Sequence, residues 1–286
     1  MKLKYWIIIS AIISTGAIVA TLMINAHNTK MLEFQKGCDA DKRQEYTEAL
    51  EHYKYAADRG LPQAQYNLGI LLIEGKGIEK PDTVAALALW EKAAEKDHAK
   101  SIYNLAITHY QQKEYTKAIE WFKKLTEKSY VDIPIKVAYC YNELKDYKNA
   151  LEWYEKASEY DSDAKIMIAD YYFEGKGVAI DSVKGLEILT SAAANKNKKA
   201  QYALGTRLLI GKGVAKDEFE AFKWLKKAAS YSDLKDAQYS VALCYHNGIG
   251  TQHDLFNAEY WYVKAAQNGS KEAEEVLYKQ FNYKPL

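Results

Sequence analysis

An all-helical chain of stacked two-helix repeats is what this sequence predicts, on three observations. One six-residue string recurs: AQYNLG (Ala64–Gly69), SIYNLA (Ser101–Ala106), AQYALG (Ala200–Gly205) and AQYSVA (Ala237–Ala242). AKIMIA (Ala164–Ala169) and IKVA (Ile135–Ala138) are weaker copies. A second string follows each copy: a small residue, an apolar stretch and in most copies an alanine seven positions on. Punctuation is sparse, since 286 residues hold 4 prolines and 15 glycines, too few for the turns of a β-sandwich. A fixed period of this size is the mark of a repeat array, because one helix pair cannot bury its apolar face alone.

The composition, 48% hydrophobic and 27% charged, is globular. Three of the 39 basic groups (Lys2, Lys4, Lys30) and none of the 38 acidic ones lie in the first 30 residues, leaving a net −2 beyond them. No basic field exists to hold nucleic acid by counterion release. Three scattered cysteines (Cys38, Cys140, Cys244) are neither a disulfide framework nor a zinc motif, and no metal or cofactor is expected.

The first element is the uncharged run Tyr5–Ile24 behind Lys2 and Lys4. Twenty helical residues span about 30 Å, the thickness of a bilayer core. A cleavable signal core is about 7–15 residues long, and Ile24-Asn25-Ala26 is a poor cleavage site. The run therefore reads as an uncleaved signal anchor over residues 1–30. The cationic N-terminus stays in the cytoplasm. That puts the rest on the extracytoplasmic side of an inner membrane.

The repeats come next. The small residue closing each string gives a ruler: Gly37, Gly69, Ala106, Ala138, Ala169, Gly205 and Ala242, at intervals of 31 to 37 residues. In the second repeat Ala86, Leu89, Trp90, Ala93 and Ala94 fall at i, i+3, i+4, i+7 and i+8, one apolar stripe on a helix. Each repeat is thus two amphipathic helices, A and B. Four repeats insert a glycine pair between them: Gly75/Gly77, Gly175/Gly177, Gly211/Gly213 and Gly248/Gly250. Glycine there ends helix A in the left-handed region without a Cβ clash. The small ruler residue lets helix B cross helix A closely. After Gly269 the chain reads as one more A-like helix with a polar face, a cap over 270–286.

AQYNLG…EGKGI…ALWEKAA and AQYALG…GKGV…AFKWLKKAA resemble Sel-one-like repeats, relatives of the tetratricopeptide repeat. The shorter first, third and fourth repeats resemble tetratricopeptides, as in EYTKAIEWFKKL. The resemblance covers about residues 31–269. It departs at Lys36, where leucine is usual, and at Gly185, where helix B has alanine elsewhere. It implies a right-handed α-solenoid of about seven helix-turn-helix repeats, which binds proteins in a concave groove lined by helix A.

Three residues before the ruler mark stand Tyr66, Tyr103, Tyr202 and Tyr239; one after it stand Ile70, Ile107 and Tyr139; four after it stands Tyr110. Tyrosine offers a large apolar body with a polar tip, suited to peptide recognition. These eight residues are the expected contacts for a protein or peptide partner, against the alternative that aromatics at helical spacing are core.

Some relatives of this repeat type are β-lactamase-like, and SxxK occurs twice, at Ser162–Lys165 and Ser232–Lys235. Both copies precede an A helix, where Ser or Asp serves as an N-cap, and no SDN or KTG companion follows. Gly-Lys-Gly lacks the GxxxxGK[ST] context of a phosphate loop. The expectation is a membrane-anchored interaction scaffold without enzymatic activity. An envelope enzyme, or a secreted effector after signal cleavage, are the alternatives.

Overall fold

The computed structural model describes residues 2–125 and 130–283, with side chains given from residue 19 onward except at 21. Among these residues there are fifteen α-helices and no strand. They divide into two bodies. The N-terminal body holds α1 (Lys2–Lys42), α2 (Tyr46–Asp58), α3 (Pro62–Glu74), α4 (Thr83–Ala94), α5 (Ala99–Gln111) and α6 (Tyr115–Lys123). The C-terminal body holds α7 (Ile133–Glu143), α8 (Tyr147–Ala157), α9 (Ala164–Glu174), α10 (Ser182–Ala194), α11 (Lys198–Ile210), α12 (Glu218–Ala229), α13 (Lys235–Asn247), α14 (Leu255–Gln267) and α15 (Lys271–Gln280). Within each body every helix packs on the next one in sequence, so the helix pairs lie side by side in chain order.

The expected membrane anchor at residues 5–24, and with it the placement outside an inner membrane, is corrected. Among the described residues no helix is long and apolar enough to cross a membrane. The side chains of residues 5–18 and 21 lie outside those described. The described end of the run, Val19–Ile24, covers about 9 Å of helix axis, against a hydrocarbon core of about 30 Å. Asn25, His27, Asn28 and Lys30 follow at once. A separate anchor, seven pairs and a cap would make sixteen helices. Anchor and first A helix are instead one helix, α1, fastened to α2 by His52 Nδ1 and Glu33 Oε2 at 2.7 Å.

The ruler residues lie at the A–B crossing. A Cβ on Gly37 would sit 2.6 Å from the Tyr53 ring, one on Gly69 2.3 Å from Trp90 Nε1, and one on Gly205 2.8 Å from Leu225 Cγ. Tyr53, Trp90 and Leu225 each stand four residues after the first alanine of helix B, and each is buried. Phe122, Tyr154, Leu189 and Tyr262 hold the same place in the other repeats and are buried too. A large knob on B therefore needs a small residue on A.

The glycine pair has two tasks, of which the sequence showed one. Its first member caps helix A in the left-handed region at Gly75, Gly175, Gly211 and Gly248. In three of the four pairs the second member lets the turn lie on the preceding repeat. A Cβ on Gly77 would come 2.8 Å from the Tyr46 carbonyl carbon, one on Gly177 2.5 Å from that of Tyr147, and one on Gly250 1.9 Å from Glu218 O.

Gly213 keeps the positive φ of its counterparts but has different surroundings. It does not end helix A, because the C-cap of α11 is Gly211, two residues earlier. It is exposed, and it has no backbone neighbour of the kind that Gly77, Gly177 and Gly250 have. A Cβ there would meet only side chains, the Phe173 ring at 3.0 Å and Arg207 NH1 at 3.6 Å. What asks for glycine at this place is its φ of +75° together with the close Phe173 ring. The three short repeats turn with Gln44, Lys113 and Lys145 at positive φ.

Helix α15 packs on α14. Aligning Ala273 with Ala237 puts Tyr278 on the ruler mark, and Tyr278 is exposed. With no B helix to cross it, that position is released from being small.

Candidate functional site

The A-helix faces are built from positions around the ruler mark. In the N-terminal body Tyr66 leaves one ring face to its own B helix, stacked on Trp90 at 6.4 Å between centroids. Trp90 Nε1 donates to Tyr66 O at 3.1 Å, so the buried indole has its partner. His98 lies 5.3 Å from the same tyrosine ring, and Lys100 from α5 sits over it. Tyr103 meets the knob Phe122 edge-on at 6.4 Å, and Tyr110 meets Tyr115 at 6.1 Å. Tyr66, Tyr103, Tyr110, Ile70 and Ile107 are all half-buried.

In the C-terminal body Tyr139 packs edge-on against the knob Tyr154 and keeps 42% of its surface exposed. Tyr239 lies 5.8 Å from the knob Tyr262, and Tyr202 and Tyr239 are half-buried. Each of these tyrosines spends part of its surface on packing.

A recess of about 300 Å³ lies between α9 and α11, with Asp170, Tyr202, Thr206 and Arg207 in its lining. Arg207 NH2 donates to Asp170 Oδ1 at 2.5 Å and its NH1 to Lys212 O at 2.9 Å, while the guanidinium lies 3.9 Å over the Phe173 ring. Its side chain is 10% exposed and that of Asp170 38%. Sequence reasoning missed Arg207. The signal was there: it is one of three arginines among 39 basic side chains. A planar fork that pairs and stacks at once is the use to which lysine is unsuited.

Burial holds the Asp170 carboxyl above its usual 3.8, and the opposing pull of Arg207 does not cancel it. A folded-state pKa raised above the unfolded one means stability present at low pH and lost as pH rises from about 3.8 through the folded value. Asp170→Asn is therefore expected to cost less stability at pH 7 than at pH 3. Urea unfolding of both proteins at the two pH values checks this, and a penalty that grows with pH refutes it.

One member of each SxxK copy is engaged elsewhere. Ser162 Oγ accepts from Asn197 Nδ2 at 2.7 Å, and Lys235 Nζ donates to Gly269 O at 2.8 Å. The expected N-cap role is corrected as well. Asp163 stands at the N-cap of α9 without a capping bond, its carboxylate turned to Asn197 and Lys199. Lys198–Asp233 and Tyr231 Oη to Lys196 O are likewise links between neighbouring repeats, so this edge stitches the stack. Cys140 and Cys244 are buried, and burial pushes their thiols up to about 12 and about 11, which keeps them protonated.

Comparison with known proteins agrees with this architecture. The family model described as Sel1 repeat matches residues 62–98, 162–197, 198–230 and 235–270. A tetratricopeptide repeat model matches 34–76, and the model for anaphase-promoting complex, cyclosome, subunit 3 matches 82–157. The expected count of about seven repeats is thereby corrected to four of the Sel1 kind, with tetratricopeptide-like sequence beside them. Chitin synthase regulatory factor 3 of Schizosaccharomyces pombe is 27% identical over 256 residues, 83% of this chain and 27% of that protein. Chitin synthase regulator SKT5 of Saccharomyces cerevisiae is 33% identical over 114 residues, 39% of this chain and 16% of that one. The chain thus spans about a quarter or less of the length of these relatives. Among solved structures, c5321, a protective antigen of uropathogenic Escherichia coli with an SLR fold, aligns with a TM-score of 0.63 at 27% identity, covering 89% of this chain and 58% of that one. The Sel1 repeat protein of Oxalobacter formigenes aligns at 0.59 and 27% identity, covering 82% and 70%.

Proposed function

We propose that this chain, an all-helical carrier of Sel1 and tetratricopeptide-like repeats, is an interaction scaffold that holds a segment of another protein on its A-helix faces. The observation that carries the reading is the row of half-buried positions beside the ruler marks: Tyr66, Ile70, Tyr103, Ile107 and Tyr110 in one body, Tyr139, Tyr202 and Tyr239 in the other. The rings of Tyr66, Tyr103, Tyr139 and Tyr239 are each braced by a B-helix knob, so a partner would meet rigid aromatic surface at low entropic cost. Arg207 and Asp170 add a fixed polar point to that surface. The names of the relatives support a protein that regulates by holding another. The partner of a regulator several times longer is not carried over to this chain.

A photo-crosslinking residue at Tyr139 or Tyr202 of the full chain is expected to capture one and the same protein. The residue at Phe256, exposed at the start of helix B α14, is expected to capture none of it. Tyr139→Ala with Tyr239→Ala is expected to weaken capture from Tyr202 by about tenfold or more, the scale of losing a binding anchor. Equal capture from Phe256 would move the contact off the A faces.

A further inference from the structure

Beyond α1 the N-terminal body carries three histidines, and they differ in their partners. His52 pairs with Glu33 and His109 with Glu114, each at 2.7 Å. His98 pairs with no carboxylate among the described residues. It stands at the N-cap of α5, where the helix presents the positive end of its dipole. Its Nδ1 lies 3.0 Å from Ser101 Oγ, and Ser101 is fully buried. Its ring lies 5.3 Å from that of Tyr66 on α3, and the Lys100 ammonium sits over the same tyrosine at 5.9 Å. Of the charged residues in the turn before it, Lys96 is turned to Gly60 O, and Glu95 and Asp97 are exposed.

Each of these surroundings disfavours the imidazolium. The ring is half-buried, the charge that acts on it is a lysine, and the helix start is positive. Burial first, and Lys100 after it, hold His98 below its ordinary 6.5. The ring is therefore neutral at pH 7. One proton more sets a second cation beside a tyrosine that Lys100 already covers, and the two like charges repel.

We propose that His98 is a proton-operated latch on Tyr66: the neutral ring keeps the Tyr66 corner of the A-helix row closed, and the imidazolium opens it by repelling Lys100. Tyr66 is one of the half-buried rings of that row. On the reading of the row as a binding surface, on which this consequence rests, mild acid releases a segment held there. The latch itself is a property of the chain alone, and its test needs no partner.

In the full chain the His98 Cε1–H resonance is expected to titrate with a midpoint below 6.5, and the Tyr66 ring resonances to move with that same midpoint. Lys100→Gln is expected to bring the midpoint closer to 6.5. A folded value below the unfolded one means that the folded chain holds fewer protons, so stability is full above 6.5 and is lost as pH falls from there. The unfolding constant of the wild type relative to His98→Gln, from urea titrations, is thus expected to rise between pH 7.5 and pH 5. The rise is at most about tenfold per pH unit, the limit for one proton. Tyr66 resonances that ignore the His98 titration, a midpoint at or above 6.5, or a ratio that does not change with pH each overturn the proposal. Loss of the A-helix crosslinks with these results intact would strike the binding surface and leave the latch standing.

Discussion

Gly250→Ala is expected to lower the unfolding free energy of the C-terminal body by about 3 kcal/mol, and Gly269→Ala by only about 1. Both glycines have positive φ, +66 and +85, so both substitutions carry the cost of an L-residue in the left-handed region, about 1–2 kcal/mol. They differ in space. A Cβ on Gly269 meets nothing within 4 Å, whereas one on Gly250 would lie 1.9 Å from Glu218 O and 2.5 Å from its carbonyl carbon. Those atoms begin α12 and cannot rotate away as a side chain could. The turn must lift off the preceding repeat, at a further cost of about 1–3 kcal/mol. Urea unfolding followed by far-ultraviolet circular dichroism separates the two variants. Equal midpoints would show that the α13–α14 turn does not rest on α12.

Gly205→Leu is expected to cost about 3 kcal/mol, the upper part of the overpacking range, and Gly205→Ala about 1. The Cβ alone would lie 2.8 Å from Leu225 Cγ and 3.0 Å from Leu225 N. Leu225 is fully buried, and its backbone is part of the contact, so turning the side chain does not clear the way. Alanine stands at the equivalent mark as Ala106, Ala138, Ala169 and Ala242. The alanine variant therefore asks for an adjustment that other repeats have made, and the leucine variant for one that none has. A melting temperature unchanged by leucine would mean that α11 and α12 do not cross at this point.

Most of the architecture was legible because it is repeated. Spacing alone located the ruler residues, the two helices of each repeat and the first glycine of each insert. These depend on neighbours close in sequence. The task of the second glycine was not legible, since its reason is the backbone of Tyr46, Tyr147 or Glu218, about thirty residues upstream. Gly213 shows the same limit from the other side: it shares the spacing of Gly77, Gly177 and Gly250 but not their backbone contact. The knobs went unread for a related cause: Tyr53, Trp90, Phe122, Tyr154, Leu189, Leu225 and Tyr262 share a place and a large apolar body but no single residue type. Of the site, the tyrosines were legible as positions, and their bracing by a knob was not. The Asp170–Arg207 pair joins two A helices 37 residues apart, and its residue types do not recur at these places in the other repeats, so no pattern announced it. The N-terminal run misled for the opposite reason. Hydropathy over twenty residues resembles an anchor, but α1 runs on without a break to Lys42 and its last turns pack on α2.

Tyr278 bears on how such an array can change its length over evolutionary time. Duplicating a helix pair anywhere upstream of Ser270 leaves every crossing with a glycine or alanine. A pair added behind α15 would have to lay its new helix across a phenol ring. Helix pairs are thus free to multiply between α1 and α15, whereas a B helix laid across α15 would first ask for one substitution there, tyrosine to alanine.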